Sequence, residues 1–136
     1  MKHYIIASHG TFAKGIYESI KIIVGEQPNI HIINGFVESN DIESDIKEII
    51  SLIPEEAEII AMTDVFGGSV NNEFMKLLGR KNYYLITGMN LPLLMQIFLA
   101  GDGDTKAIIE SIVNNADTAP KFCNPLIEDN SQEDEF

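Results

Sequence analysis

The stretch Tyr-Ile-Ile-Ala-Ser-His-Gly-Thr at residues 4–11 decides the class of fold. Its first half is a short apolar run with two β-branched residues, which is typical of a buried strand, and a polar turn follows it directly. Beyond this turn the apolar residues recur at three- and four-residue steps as far as Gly25, and this pattern predicts a helix. The predicted buried face of this helix consists of Phe12, Ile16, Ile20, Ile23 and Val24. A strand that runs straight into a helix is the repeating unit of α/β proteins.

The same alternation of strand and helix continues along the chain. Three further apolar runs predict strands, at residues 30–36, 57–62 and 83–86. Four further helices are predicted: one capped by Asn40 or Asp41 and closed by Pro54, one capped by Ser69 and ending at Gly79, one at Leu91–Leu99 and one at 105–115. We therefore predict an α/β fold with three αβα layers around a central, mostly parallel four-stranded sheet of order 2-1-3-4. A weak pattern at residues 121–127 allows an additional C-terminal strand.

The composition fits one folded domain and excludes several functions. The chain has 136 residues, of which 45% are apolar, 9 are basic and 21 are acidic, so its formal net charge is −12. A domain so short of Lys and Arg is unsuited to nucleic-acid backbones and to anionic membrane surfaces. Its single cysteine, Cys123, cannot form an internal disulfide, and its start lacks the apolar core of a signal peptide, so we expect a cytoplasmic protein. The domain is expected at residues 1–118, and the segment 119–136 is expected to end in a disordered acidic tail.

Two loops carry the candidate site. In parallel sheets of this order, ligands bind at the carboxyl ends of the strands where the winding reverses. That rule selects the loops after the first and third strands, at residues 8–11 and 63–69. His9 lies in the first loop, between a strand and a helix start, where an imidazole can act as a nucleophile beside an anion. His3 and His31 begin or lie inside strands, and we interpret them as ordinary edge or surface residues.

The second of these loops contains a carboxylate and a glycine pair. Asp64 can be an ordinary turn former, or it can hold one ring nitrogen of His9 and leave the other with its lone pair. Gly67 and Gly68 let backbone N–H groups approach an anion, and Ser69 adds a hydroxyl at a helix start. The two loops together favour a nucleophilic histidine with an oriented ring and an anion-binding loop.

Three segments together resemble a known family. They are Ser-His-Gly at residues 8–10, Thr-Asp-Val-Phe-Gly-Gly-Ser at 63–69 and Thr-Gly-Met-Asn-Leu-Pro at 87–92. In order and spacing they resemble the IIA component (EIIA) of the mannose family of the bacterial phosphoenolpyruvate-dependent sugar phosphotransferase system (PTS). The resemblance implies a phosphotransferase with a phosphohistidine intermediate, in which His9 carries the phosphoryl group and Asp64 holds its ring.

The same resemblance implies the partners. The phosphoryl group would arrive from the histidine-containing phosphocarrier protein HPr and leave for a separate IIB subunit, and Gly67, Gly68 and Ser69 would bind it. The chain would serve sugar uptake, would meet a IIC/IID membrane permease only through IIB, and would form a homodimer. The helix at Leu91–Leu99 is apolar on nearly every side, which also favours a homodimer. No metal and no cofactor are expected, since the sequence shows neither metal-ligand clusters nor a nucleotide-binding loop.

The chain departs from the family pattern in two places. Where the family continues Ser-Pro-Phe-Asn, residues 69–72 are Ser-Val-Asn-Asn, and the loss of the Pro predicts a less rigid loop. The family exchanges a C-terminal strand between protomers, whereas residues 121–127 offer only a weak strand.

Three other functions fit parts of this pattern. A receiver-like signalling domain would use Asp64 as its phosphate acceptor, but it needs an acidic cluster after the first strand, where this chain has Ala-Ser-His at residues 7–9. The phosphotransferase subunit of dihydroxyacetone kinase shares the first-strand His, but its second loop resembles Asp-Leu-Gly-Ser. A module that binds a phosphorylated ligand without transferring it stays open.

Overall fold

The computed structural model describes residues 1–37 and 39–128, in which strands alternate with helices. The strands are β1 (Lys2–His9), β2 (Ile30–Gly35), β3 (Glu58–Thr63) and β4 (Tyr83–Thr87). The helices are α1 (Phe12–Val24), α2 (Ile42–Ser51), α3 (Ser69–Met75), α4 (Leu91–Leu99), α5 (Thr105–Val113) and α6 (Asn124–Glu128), with a 3₁₀ turn at Ala116–Thr118. All strand pairs are parallel and the order is β2-β1-β3-β4, so the predicted α/β fold is confirmed. Residues 129–136, most of the predicted acidic tail, lie outside the described residues.

Local signals set several helix ends, and those at Asp41 and Gly25 are as the sequence predicts. Asp41 caps α2, because its side chain accepts a hydrogen bond from the N–H of Ser44 at 3.0 Å. Asn90 caps α4 by accepting from the N–H of Leu93 at 2.9 Å. At the other end of a helix, Gly25 follows α1 with a positive φ of 90°, a conformation that glycine adopts freely.

Helices cover both faces of the sheet, and β1 supplies side chains to both layers. Ile5 and Ala7 pack with α2 and α3 on one face, while Ile6 packs with α1, α4 and α5 on the other. This alternation follows from the two-residue period of a strand. None of the helices in the described part of the chain is long and apolar enough to cross a membrane.

The buried face of α1 differs from the predicted one. Ile16 and Ile20 are buried as expected, but Phe12 is 50% exposed and Ile23 is 49% exposed. Ala13 is fully buried, because its small side chain lets the helix approach the sheet closely, and this turns the buried face away from the bulkier Phe12. The residues of α1 that are buried are Ala13, Ile16, Tyr17 and Ile20.

The prediction for the third helix was wrong at both ends. Gly68 is the N-cap of α3, and Ser69 is its first helical residue rather than its cap. Since the hydroxyl of Ser69 lies near His9, it is not engaged in a capping bond. The helix ends at Met75. Beyond it the backbone bonds join residues three apart, as in a 3₁₀ turn; the N–H of Leu77, for example, donates to the Phe74 carbonyl at 3.1 Å.

The additional C-terminal strand was also a wrong expectation. Residues Asn124–Glu128 form the short helix α6, and the N–H of Leu126 donates to the Cys123 carbonyl at 3.0 Å. Pro125 lies in the first turn of this helix, where its missing N–H costs nothing. A strand needs a neighbouring edge to pair with, and within the described residues this segment pairs with none.

Candidate active site

His9 is the last residue of β1, and its imidazole ring is fixed by the loop that follows β3. The Nδ1 atom lies 2.8 Å from Oδ2 of Asp64, and the same oxygen accepts the backbone N–H of His9 at 2.8 Å. The other carboxylate oxygen, Oδ1, accepts the N–H of Val65 at 3.0 Å. A carboxylate can only accept hydrogen bonds, so this contact assigns a proton to Nδ1 and leaves the lone pair on Nε2.

The same hydrogen bonds determine the ionisation state of the Asp64 carboxyl group. Burial by itself would raise the pKa of this carboxyl, but the His9 backbone N–H, the His9 ring and the Val65 N–H together hold its pKa below the usual value. Asp64 is therefore ionised at neutral pH and can offset positive charge on the ring. Its side chain is 15% exposed, whereas that of His9 is 42% exposed, so the imidazole is the group within reach of another protein.

Ser69 faces the other nitrogen of the imidazole ring. Its Oγ lies 3.2 Å from Nε2 of His9, and because Nε2 carries the lone pair, the hydroxyl donates this bond. The ring of His9 is thus held at both nitrogens, by Asp64 on one side and by Ser69 on the other. A group attached to Nε2 would lie next to the serine hydroxyl.

The glycine pair serves two separate steric needs. Gly67 has a φ of 79°, in the left-handed region that other residues rarely adopt. Gly68 has ordinary extended angles, but a Cβ at this position would lie 3.0 Å from Cε1 of His9 and 3.0 Å from a methyl carbon of Val65. The first glycine is needed for the turn, and the second lets the loop pass directly beside the imidazole.

Buried polar side chains next to the loop after β3 are hydrogen-bonded to one another. The hydroxyl of Thr63 donates to Oδ1 of Asn71 at 2.7 Å and lies 2.9 Å from Oγ1 of Thr87. Nearer the surface, the amide of Asn72 donates to the carbonyl of Gly67 at 3.3 Å. Asn71 stands where the family pattern has Phe, so the Thr63 bond is made at a position that departs from the pattern, whereas Asn72 matches the Asn of that pattern.

Sequence reasoning missed three contributors to the site, Thr63, Thr87 and Phe36. Thr63 and Thr87 could have been found, because both end buried strands and they lie opposite each other in the register of β3 and β4. Phe36 had no clear signal: its ring stacks on that of His9, with centroids 5.7 Å apart and planes inclined at 28°.

His3 and His31 lie at the amino end of the sheet, away from this site. Nδ1 of His3 is 3.1 Å from Nε2 of His31, and the two rings are stacked. His3 is only 8% exposed, which corrects its interpretation as an edge or surface residue, because β1 is a central strand. Burial lowers the pKa of both histidines.

Metal binding finds no support in the arrangement of the site. Within residues 1–37 and 39–128, no three His, Cys, Asp or Glu side chains cluster in a way that could hold a metal ion. His9 and Asp64 are bonded to each other, and the next polar side chain at the ring is the hydroxyl of Ser69. The chemistry available is that of an imidazole with a free Nε2 and a carboxylate behind it.

The fold and the site have clear counterparts among known proteins. A profile of the family described as "PTS system fructose IIA component", or EIIA-man, matches residues 3–115. The sorbose-specific EIIA component of the PTS of Lacticaseibacillus casei is 28% identical in an alignment of 138 positions, gaps included. The alignment covers 97% of this chain and 98% of that protein. The mannose-specific EIIAB component of Escherichia coli K12 is 27% identical over 104 residues, which cover 74% of this chain and 32% of that protein.

Solved structures give the same result. A Klebsiella pneumoniae protein described as a candidate phosphoenolpyruvate-dependent sugar phosphotransferase system permease superimposes with a TM-score of 0.86 at 38% identity, covering 93% of each chain. The mannose/sorbose-specific IIA subunit from Enterococcus faecalis has a TM-score of 0.80 at 20% identity, which is a likeness of fold.

The parallel 2-1-3-4 sheet holds a carboxylate-bound histidine at its switch point, where such sheets bind ligands, and this arrangement suits a protein that uses a histidine as nucleophile. The chain belongs to the EIIA-man family, the mannose-type IIA components of the phosphoenolpyruvate-dependent sugar phosphotransferase system. Its function is that of a phosphoryl carrier in a sugar phosphotransferase system.

Proposed function

We propose that the chain accepts a phosphoryl group on Nε2 of His9 from the histidine-containing phosphocarrier protein HPr and passes it to a IIB subunit. One observation carries this proposal: Asp64 holds Nδ1 of His9 at 2.8 Å, while Nε2 keeps its lone pair and faces Ser69. A nucleophilic histidine needs this orientation, because only one ring nitrogen can attack while the other carries the proton.

The proposed transfer consists of two in-line displacements. In the first, the lone pair of Nε2 attacks the phosphorus of a phosphohistidine on HPr, the donor N–P bond breaks, and its electron pair returns to the donor ring. The proton stays on Nδ1, so the ring of His9 becomes cationic, and the carboxylate of Asp64 offsets this charge. In the second displacement a nucleophile of IIB attacks the same phosphorus, and the ring of His9 returns to its neutral form.

The loop after β3 supplies the groups that would bind the phosphoryl oxygens. The transition state is metaphosphate-like and spreads negative charge over three equatorial oxygens, so placed donors provide most of the catalysis. The hydroxyl of Ser69, already 3.2 Å from Nε2, can turn from the nitrogen to one of these oxygens. Gly67 and Gly68 keep the backbone free of side chains on this side, which lets N–H groups approach the anion.

The partners follow from the same family membership. The Lacticaseibacillus casei relative is named an EIIA component and is covered over 98% of its length, so we propose that IIB is a separate chain here. The IIC/IID membrane permease would then be reached only through IIB. We also propose that the functional unit is a homodimer.

Phosphorylation in vitro tests this function. The protein is incubated with phosphoenolpyruvate and the general phosphocarrier proteins, and its intact mass is then measured. We expect the mass of one phosphoryl group to be added, and we expect the product to be labile in acid and stable in base. A base-labile product would indicate an acyl phosphate on a carboxylate such as Asp64, and an unchanged mass would indicate a binding module without transfer; either result would refute the proposal.

A further inference from the structure

Phe36, directly after β2, has a backbone conformation that is rare for a bulky residue. Its φ is 65°, in the left-handed region, and its side chain is 45% exposed. Its N–H donates to the carbonyl of Ser39 at 3.1 Å, a backbone bond after the end of β2. Strained residues of this kind persist where the surrounding structure imposes them, and they are concentrated at functional sites.

The strand end that precedes Phe36 is packed closely against β1. Gly35 pairs with His9 in the sheet, and the N–H of Gly10 donates to the Gly35 carbonyl at 2.9 Å. A Cβ at Gly35 would lie 2.9 Å from the carbonyl oxygen of Ser8, so the two strand ends are in close backbone contact. The chain leaves this contact at Phe36, and the left-handed turn directs the aromatic ring back over β1.

The ring of Phe36 is stacked on the imidazole of His9. The ring centroids are 5.7 Å apart and the planes differ by 28°. Asp64 and Ser69 contact the two ring nitrogens, and contacts at these two atoms alone leave a rocking motion about the line that joins them. A flat group against one face is what restricts this rocking motion.

We propose that Phe36 is a positioning residue for His9: it fixes the plane of the imidazole, so that the Nε2 lone pair is aimed along the line of transfer. This inference rests on the proposed function of His9. Phosphorylation of Nε2 with a proton on Nδ1 makes the ring cationic, and an aromatic face stabilises a cation placed over it. Phe36 therefore also stabilises the phosphorylated ring once it has formed.

Two substitutions remove the aromatic ring with opposite effects on the backbone. Phe36→Leu keeps an apolar side chain and the strained φ, whereas Phe36→Asn relieves the strain, since Asn tolerates the left-handed region. Phe36→Tyr keeps the aromatic face and is the conservative variant. Phe12→Leu is the matched control, because Phe12 is 50% exposed on a neighbouring element.

The contact is measured first in the unphosphorylated protein. By NMR, the ring protons of His9 are expected to carry an upfield ring-current shift in wild type, in Phe36→Tyr and in Phe12→Leu. This shift is expected to disappear in both Phe36→Leu and Phe36→Asn. Unchanged His9 ring shifts in these two variants would overturn the proposal, and this readout does not depend on whether His9 is phosphorylated.

The consequence is measured in the phosphorylated protein. Hydrolysis of phospho-His9 is expected to be about two- to fivefold faster in Phe36→Leu and Phe36→Asn, the factor that corresponds to an exposed cation–π contact. The single-turnover rate at saturating donor should fall in both variants and recover in Phe36→Tyr. The proposal would be overturned if Phe36→Leu and Phe36→Asn both kept the wild-type lifetime of phospho-His9 and the wild-type single-turnover rate. A change confined to KM would also overturn it, because it would indicate a role in docking the donor. A wild-type protein that accepts no phosphoryl group would instead refute the proposed function, and the NMR shift would still decide the role of Phe36.

Discussion

Asp64 makes two hydrogen bonds with His9, since one carboxylate oxygen accepts both the ring and the backbone N–H. Asp64→Asn preserves the size of the side chain but removes the charge that offsets a cationic imidazole. We expect the variant to fold and to transfer the phosphoryl group about 10²–10⁴-fold more slowly, the range for loss of a positioned acid–base partner. Rapid-quench measurement of phosphoryl uptake from the donor gives this rate. Uptake at the wild-type rate would contradict the proposed pairing.

The two glycines of the loop give a matched pair of variants. In Gly68→Ala the added methyl group would lie 3.0 Å from Cε1 of His9, so the ring must move, and we expect transfer to slow by roughly tenfold or more. In Gly67→Ala the methyl group meets no atom within 4 Å, but a φ of 79° strains alanine, so we expect a loss of about 1 kcal/mol in the free energy of unfolding.

Urea unfolding and phosphoryl uptake are measured for both glycine variants. The expected pattern is a kinetic defect in Gly68→Ala and a stability defect in Gly67→Ala. If both variants lost the same stability and the same transfer rate, the two glycines would not have separate roles, and the prediction would be wrong.

The positions of the main residues of the candidate site could be predicted from the sequence, whereas those of Phe36 and Asn71 could not. His9, Asp64 and Ser69 adjoin strand ends or helix starts, and those positions follow from hydrophobic periodicity together with the rule for parallel sheets. The position of Phe36 depends on a left-handed turn after β2, and hydrophobic periodicity carries no information on such an angle. Asn71, which bonds to Thr63, is one of the residues that differ from the family pattern, so the family resemblance could not predict this hydrogen bond.

At the scale of elements, the two histidines that join β1 and β2 make stability depend on pH. Burial holds the pKa of His3 and His31 below the usual value of about 6.5. When the pKa of a histidine is lower in the folded than in the unfolded protein, its full contribution to stability is present at a pH above its pKa in the unfolded chain. This contribution is lost as the pH falls toward the folded value, because the unfolded chain then binds more protons.

We therefore expect the free energy of unfolding to fall between about pH 7.5 and about pH 5.5. His3→Gln should weaken this dependence, because it removes the more buried of the two titrating rings. Urea unfolding at both pH values measures the effect. Phe12→Leu is the control and should keep the wild-type difference, since Phe12 has no titrating group and its side chain is 50% exposed. Equal pH dependence in wild type and His3→Gln would contradict the assignment.

The order of elements was predictable because the period changes at each boundary, from short apolar runs to three- and four-residue steps. Their ends were less predictable, since they depend on contacts outside the element. Ser69 was expected to cap a helix from its residue type, but its hydroxyl bonds to a ring 60 residues away in sequence. The expectation of a C-terminal strand was wrong for a related reason, because it rested on the residue types of 121–127 alone, and Asn124–Glu128 form a short helix instead.

At the scale of the whole molecule, the reason for expecting a homodimer changes. Most of α4 is covered within one chain, since Leu93, Leu94 and Ile97 are buried against the core. Leu99, at the end of the helix, is 67% exposed, and Ile22 of α1 is 86% exposed. The proposal of a dimer now rests on such exposed apolar side chains and on the family resemblance.

Light scattering at micromolar concentration is expected to give about 30 kDa, twice the chain mass of 15.1 kDa. A Leu99→Asp variant should shift the population toward the monomer if α4 contributes to the contact. A mass of one chain at all concentrations for the unchanged protein would contradict the dimer.

The extent of the domain is also a proposal at this scale. We place its end at residue 118, because Thr118 is buried and its carbonyl accepts a hydrogen bond from the amide of Asn90 at 2.8 Å. Asn90 also caps α4, so this bond ties the chain to the body of the fold. Beyond this point, residues 119–127 are exposed.

The central claim is that His9 carries the phosphoryl group, and intact-mass spectrometry of three histidine variants tests it most directly. Wild type, His9→Ala, His3→Ala and His31→Ala are incubated with phosphoenolpyruvate and the general phosphocarrier proteins under the same conditions. Far-ultraviolet circular dichroism verifies that each variant is folded. Wild type, His3→Ala and His31→Ala are predicted to gain the mass of one phosphoryl group, and His9→Ala is predicted to gain none. A phosphorylated His9→Ala protein would contradict the account.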